Sequence, residues 1–455
     1  MSVELLLFGA IGALGAGAAP VIPLSWRLGC VLALSVVQLY VIPVGEVTFA
    51  LWLASAYLLW PEFVREFRNV VHVPALRTIM LLVLVQVASW SWSPDVRMGL
   101  EDLVYTLPFL LVSAASLSLG RDNPAAVARL TSLAAVLMLS EAALVIVFRL
   151  SPDLEWSYLN TSVAGWFATP RAVTDIVTGV TRNNILDPAK AGGFFLNGNT
   201  AAAYLGAGSA VAYYACREEG GIMAWTLLAV LSAGIFFSGS KSGAILAVLL
   251  PVATMTVVRH TRHRGLREWA ITLAWIALAG LAAFGIAVIY PALESSSFVS
   301  NTIDTTASRL AIWAYAAQAF FNHPLLGQGF GGWEIGYRTY QHVGHTTAVL
   351  PPHNTLIYLW SQSGLAAVLL ALVFMYQVFR LAAEHIRSSD ATARSVGVCL
   401  LMVAAWIFIS GMGDNSGLLG EVHEQPLLAS MLGLCYALDA RRELAKRIGL
   451  LLSAV

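Results

Sequence analysis

Charge is scarce in this chain. Only 11% of its 455 residues are Asp, Glu, Lys or Arg, and 58% are hydrophobic, whereas a soluble domain carries about 25% charged residues. So few charges cannot cover a water-facing surface, and the mean hydropathy of +0.74 points to a non-aqueous solvent. The formal net charge is zero, which excludes a global basic surface for nucleic acid and confines any electrostatic signal to local clusters. Cysteine is scarce too. Cys30, Cys216, Cys399 and Cys435 stand singly, with neither a disulfide framework nor CxxC metal spacing, and read as packing residues. There is no repeat with a period of about 20–50 residues and no low-complexity tract.

What is abundant is long apolar runs. A spanning helix needs about 20 mostly apolar residues, because the hydrocarbon core is roughly 30 Å thick. Candidate spans fall near 4–19, 24–43, 45–61, 75–92, 101–118, 126–149, 196–216, 222–238, 242–258, 269–290, 354–380, 394–411 and 424–439. The expectation is an all-α polytopic membrane protein with about 12 (12–13) transmembrane helices. The apolar start lacks a basic n-region, so it reads as a membrane segment and not as a cleaved signal. Gly15, Gly17, Pro20 and Pro23 leave open whether the first run is one helix or two.

Every second loop is basic. Arg65, Arg68 and Arg77 begin the series, Arg121 and Arg129 and then Arg217 follow, and Arg259 to Arg267, Arg380 to Arg394 and Arg441 to Arg447 complete it. Lysine and arginine bias sets orientation, so these loops read as cytoplasmic. Segments 92–100, 150–195, 239–241, 291–353 and 412–423 then face outward. Arg97 is a lone exception, offset by Asp95. Two outward segments exceed the ~12–15 residues of an ordinary loop and are rich in Trp and Tyr. The organisation expected is an N-terminal transmembrane bundle (1–150), a first outward loop (151–195), central transmembrane helices (196–290), a large outward catalytic loop (291–353) and C-terminal transmembrane helices (354–455).

The outward segments gather the polar groups suited to chemistry. Lys241 sits in the Ser-Gly-Ser-Lys-Ser-Gly hinge 238–243, where a charge close to the bilayer implies a functional partner and backbone N–H groups are expected to meet an anion. Arg309 begins Arg-Leu-Ala-Ile-Trp in a stretch, 308–321, that reads as an amphipathic surface helix, with Leu310, Trp313, Ala317 and Phe320/Phe321 at helical spacing. Arginine there presents a planar fork to phosphate. His353 follows two prolines and opens the next span. The positive end of a helix dipole disfavours imidazolium, so a histidine at that place is suited to accept a proton. His323, His342, His345 and His353 share one loop, but no DxD or ExD pair accompanies them in the outward loops, so no metal site is expected. Arg171, Arg182, Lys190 and Arg338 are further candidate anion contacts.

Four stretches in order resemble the O-antigen ligase superfamily, which groups lipopolysaccharide O-antigen ligases, O-antigen and exopolysaccharide polymerases and some protein O-glycosyltransferases. They are Gly193-Phe-Phe-Leu-Asn-Gly-Asn-Thr-Ala-Ala-Ala-Tyr-Leu205, the Ser240-Lys-Ser-Gly hinge, Ser308-Arg-Leu-Ala-Ile-Trp running to His323-Pro-Leu-Leu-Gly-Gln-Gly-Phe-Gly331, and His353-Asn with Gly364 downstream. The resemblance implies a GT-C-like membrane fold. It implies metal-independent transfer of a glycan, without a cofactor, from an undecaprenyl diphosphate carrier to a hydroxyl of lipid A-core or of another glycan, on the periplasmic face of the inner membrane. It implies His353 as the base, Arg309, Lys241, Arg182 and Arg338 as diphosphate contacts, and Asn354, His323 and Asn199 in support. Lys241 stands where the family usually has arginine. A transporter would instead carry ionisable residues inside several spans, and of these Glu141 is the clearest here.

Overall fold

The computed structural model describes residues 3–19, 21–44, 47–178, 189–219, 221–262, 297–341, 351–413 and 417–453. The chain is helical there apart from one antiparallel hairpin, β1 (Tyr40–Val44) and β2 (Val47–Ala50). Five helices among the described residues are long and apolar enough to cross a membrane, or six if the pair Trp60–His72 and Pro74–Ser89, bent by 105°, is one span. The expected span 269–290 lies outside the described residues.

The first sixty residues depart most from expectation. After α1 (Val3–Ala18), α2 (Leu24–Val37) has 14 residues, about 21 Å of helix, too short for a full crossing. Where 45–61 reads as a span, the chain forms β2 and the seven-residue α3 (Leu51–Tyr57). The β-branched and aromatic residues of Tyr40–Ala50 suit a pleat, and Pro43 has no N–H to continue a helix.

Beyond this point helices occupy the expected apolar runs that lie within the described residues, although only the five or six above are long and apolar enough to cross, and the expected count of about 12 is not reached among the described residues. The helices are α4 (Trp60–His72), α5 (Pro74–Ser89), α6 (Val96–Asp122), α7 (Pro124–Leu137) and α8 (Leu139–Leu150), followed by the short α9 (Pro152–Leu159), α10 (Ala164–Phe167) and α11 (Pro170–Val177). The series continues with α12 (Gly198–Glu219), α13 (Ile222–Phe237), α14 (Lys241–Arg262), α15 (Ser297–Asn322), α16 (Gly332–Gln341), α17 (Thr355–Ile386), α18 (Ala391–Gly411) and α19 (Gln425–Ser453). Phe374 of α17 meets Phe109 of α6 and Phe408 of α18 edge-on, both at 6.0 Å between ring centres. Helix α19 lies along α6 through small residues, with the Ser116 and Ser430 hydroxyls 3.4 Å apart. Cys399 and Cys435 are packed in this core, whereas Cys30 lies on an open face of α2.

The basic loops meet at one end of the bundle. Arg27 pairs with Glu62 at 2.7 Å, Arg121 pairs with Glu66, and Arg65 donates to Ser118. The Arg441 guanidinium reaches the Arg121 carbonyl, and Arg442 donates to Ser388 at 2.7 Å. Helix α18 starts at that end, beside Asp390, and its 21 residues carry the chain about 30 Å to the opposite end, at Gly411.

The surface helix is longer than expected. Helix α15 starts at Ser297, because no Pro or Gly lies between Ser297 and Ser308 to stop it, so Arg309 sits well inside the helix and not in its first turn. Its two faces differ. Ile312, Tyr315, Ala316 and Ala319 pack against Trp333, Tyr337 and Trp360. The stripe read from the sequence points the other way, with Leu310 59%, Trp313 43% and Phe321 82% exposed. A helix apolar on both faces is suited to lie between protein and lipid.

Candidate functional site

The four stretches are joined in pairs by backbone contacts. The loop preceding α12 lies against the 238–243 hinge, where the Ala191 N–H donates to the Ser238 carbonyl at 3.2 Å. Gly239 has φ +72°, and a Cβ there would collide with the Ala189 carbonyl. Only glycine permits both the left-handed turn and that approach. The loop is held from behind by Glu141, fully buried, whose Oε2 accepts the Phe194 N–H at 2.8 Å. Glu141 thus anchors a loop. Nearby in the same loop, burial pushes the Glu155 carboxyl up to about 7, against a hydrogen bond from the Gly192 backbone.

The second pair is the 323–331 loop and the kink in α17. The Gln328 N–H donates to the Ser361 carbonyl at 2.7 Å and the Leu365 N–H to the Leu325 carbonyl at 2.9 Å. Helix α17 breaks at Gly364, φ +77°, and a Cβ there would strike Leu325. Beneath this loop the segment 92–95 is tied to it, since the Phe330 N–H donates to Ser93 Oγ at 2.9 Å and the Asp95 N–H to the Phe330 carbonyl at 3.0 Å.

Both pairs converge on the end of α18. Thr355 Oγ1 donates to the Gly411 carbonyl at 3.0 Å, Asn354 Nδ2 to the Met412 carbonyl at 3.1 Å, and Arg309 Nη2 to the Gly413 carbonyl at 3.0 Å. The last carbonyls of a helix have no partner within it, so three successive acceptors gather Arg309 and the His353 segment at one point. His353 is half-buried at φ +50°, a left-handed conformation uncommon for any residue with a Cβ. It lies one position before the helix, and the N-cap is Asn354, whose Oδ1 accepts from the Leu356 and Ile357 N–H groups at 2.9 and 3.2 Å. Asn354 therefore caps α17 and holds it to α18 with the same side chain. Asn354→Asp keeps the cap but cannot donate to Met412. We expect stability within about 1 kcal/mol of the parent, by thermal unfolding, and loss of the tie to α18, read as accelerated amide hydrogen exchange at 353–357. Unchanged exchange would remove this positioning role.

On the other side of the α18 end lies a small cleft, lined by Asn199 and Thr200 of α12, Ser240 and Ser242 of the hinge, Trp406 and Ser410 of α18, and Glu421. Lys241 is exposed between the two hinge serines, at the first position of α14. The hinge is not a set of open donors: Ser240 Oγ accepts the Gly243 N–H at 3.1 Å, capping α14, and Ser238 Oγ accepts the Ser240 N–H at 3.2 Å.

Lys241, Arg309, His353, Asn354 and Asn199 are thus at one end of the bundle, about the end of α18. His323 and Arg338 are exposed, and neither side chain bonds to a described residue. Arg182, His342 and His345 lie outside the described residues, as does the side chain of Arg171. The segment that sequence reasoning passed over is 406–424. Its backbone carbonyls carry no residue signature, but three ionisable residues, Glu421, His423 and Glu424, within four consecutive positions were a signal. His423 is buried beside the Gln38 amide and edge-on to Phe195 at 5.1 Å. Burial lowers it to about 3, so it is a neutral packing partner of the 193–198 loop.

Residues 226–372 match the family model described as O-Antigen ligase. No curated protein matches the chain. The matched span runs from α13 into α17 and includes the Lys241 hinge, Arg309, the 323–331 loop, His353 and Gly364. Only the Gly193–Leu205 stretch precedes it, and the structure seats that stretch against the hinge. By this match residues 226–372 resemble the O-antigen ligase superfamily, and the five or six helices among the described residues that are long and apolar enough to cross a membrane are consistent with a membrane protein.

Proposed function

We propose that this protein is an O-antigen ligase-like glycosyltransferase that moves a polysaccharide from undecaprenyl diphosphate to an acceptor hydroxyl, lipid A-core in the first instance, on the periplasmic face of the inner membrane. The observation that carries this reading is the docking of Arg309 and Asn354 on adjacent carbonyls, Gly413 and Met412, which puts a guanidinium and the histidine segment at one bundle end, with Lys241 nearby. A lipid carrier keeps its diphosphate at headgroup depth, so a site for it needs cations at the bundle end and a lipid-facing flank. The exposed stripe of α15 suits that flank.

His353 accepts the acceptor hydroxyl's proton as its oxygen bonds to the anomeric carbon. The bond from that carbon to the diphosphate oxygen breaks, and its electron pair leaves with the diphosphate. The developing charge is met by Arg309 and Lys241, so no general acid is required. In-line attack inverts the anomeric centre. The basic loops at the far end are the cytoplasmic side in this reading. The buried, hydrogen-bonded Glu141 does not resemble a translocation site.

The test is transfer by the purified full-length protein from an undecaprenyl-diphosphate glycan, offered lipid A-core or a second glycan donor. Product on lipid A-core is expected, and a deletion strain should retain full-length glycan on the carrier. Single repeat units on the carrier, with transfer only to the second donor, would assign polymerase activity instead. Transfer to neither acceptor would refute both.

A further inference from the structure

We infer that α4 lies along the bilayer surface at the basic end of the bundle, where Arg68 and Arg77 recognise the headgroups of anionic phospholipids. The inference rests on the chain lying in a bilayer and is independent of glycan transfer.

Helix α4 is not a crossing. Its 13 residues make about 20 Å of helix, short of the roughly 30 Å hydrocarbon core. Five of them, Glu62, Arg65, Glu66, Arg68 and His72, are ionisable, and such groups are costly at the centre of a membrane. At its C-terminus Val73 is extended, with φ −77° and ψ 116°, because a residue before proline is driven out of the helical region and Pro74 follows. The chain turns there, and α4 meets α5 at 105°. An α5 that enters the membrane therefore leaves α4 along the surface.

Three sectors divide the circumference of α4. Glu62, Phe63, Glu66 and Val70 are buried against the protein. In that sector Glu62 accepts from Arg27 of α2 at 2.7 Å, and Glu66 pairs with Arg121 of α6. Trp60, Val64, Phe67 and Val71 make a second sector, spaced by four, three and four residues. The first three are 38%, 58% and 44% exposed. An open apolar row of this kind, with a tryptophan at its end, is the lipid-facing side of an interfacial helix. Arg65, Arg68 and His72 form the third sector, beside the apolar one, and all three are exposed. Arg77, near the start of α5, is exposed as well.

Charge selects the headgroup. Both glutamates of α4 are turned inward and paired, so no carboxylate of this helix faces the lipid. Arg65 is partly committed, to Glu62 and to Ser118 Oγ at 2.9 Å. The Arg68 and Arg77 side chains bond to no described residue. A long cationic side chain at an interface lays its stem on apolar surface and holds its charge among the phosphates. Zwitterionic headgroups offer two such guanidinium groups no net charge, whereas anionic ones do, at about fivefold in binding per arginine.

The test puts a photoreactive side chain on the apolar sector, Phe67→p-benzoylphenylalanine, in the full-length protein. Carbonate extraction comes first, and release of the chain from membranes would remove the bilayer premise itself. The protein is then placed in nanodiscs of equal parts phosphatidylcholine and phosphatidylglycerol and illuminated, and the adducts are identified by mass spectrometry. Phospholipid adducts are expected, with phosphatidylglycerol favoured about tenfold. The double substitution Arg68→Gln with Arg77→Gln should bring that preference below about twofold at an unchanged melting temperature. High salt on the parent protein gives the same reading without a substitution, because exposed charges are screened. Equal capture of the two lipids by the parent, or a preference that survives both the double variant and salt, would overturn the headgroup assignment. An adduct with a second copy of the chain would make the face a protein interface, and absence of any lipid adduct would place it in water. Either result overturns the inference.

Discussion

His353→Asn is expected to lower kcat for the proposed glycan transfer by about 10²–10⁴, the range a positioned general base contributes, while donor binding and thermal stability stay near those of the parent. The choice of asparagine follows from the backbone. His353 sits at φ +50° between two prolines and the Asn354 cap, and asparagine is among the residues that tolerate that region best. Alanine would lose the imidazole and also strain the turn, confusing chemistry with folding. His353→Gly supplies the complementary control. It relieves the left-handed strain, so it should unfold no earlier than the parent and still transfer nothing. The decisive comparison is a single-turnover assay beside a melting curve for each variant. Transfer by His353→Asn within a few-fold of the parent would remove the histidine from the chemistry. Loss of donor binding in His353→Gly would instead make it a ligand of the diphosphate.

How much of this was legible beforehand divides along physical lines. Helices α6, α13, α14, α17 and α18 follow apolar runs bounded by charge or glycine, so hydropathy located them. The first sixty residues were not legible in that way, because Tyr40–Ala50 is apolar enough to read as membrane yet β-branched enough to pair as a hairpin. Arg309 and His353 stood out because a cation and a histidine are conspicuous beside a bilayer. Their meeting point did not, because Gly411, Met412 and Gly413 act through backbone carbonyls that any residue has. The surface stripe of α15 was identified correctly as an apolar face, but the face that holds the helix to the protein is the other one, Ile312, Tyr315 and Ala319. Periodicity cannot rank two apolar faces of one helix.

Arg309→Ala is expected to lower kcat/KM for the lipid-linked donor by about 10²–10³, comparable to removing a donor aimed at developing charge. Part of that effect is positional. One Nη2 hydrogen is committed to the Gly413 carbonyl, and a guanidinium has five N–H donors in a fixed fork, so the remaining edge can face a diphosphate while the first contact holds the side chain still. Arg309→Lys separates the two roles. An ammonium keeps the charge but is a compact point donor without the fork, so contact with Gly413 and with two phosphate oxygens together is beyond its geometry. The lysine variant should recover kcat partly while its donor KM stays raised, and its activity should fall more steeply with salt, because a less anchored, more solvated charge is screened more. Kinetics at two ionic strengths, with donor and acceptor varied separately, read this directly. A donor KM equal to the parent's in Arg309→Ala would mean that the arginine only ties α15 to α18. In that case the variant should instead show accelerated hydrogen exchange at both ends of that contact, and the diphosphate would be left to Lys241.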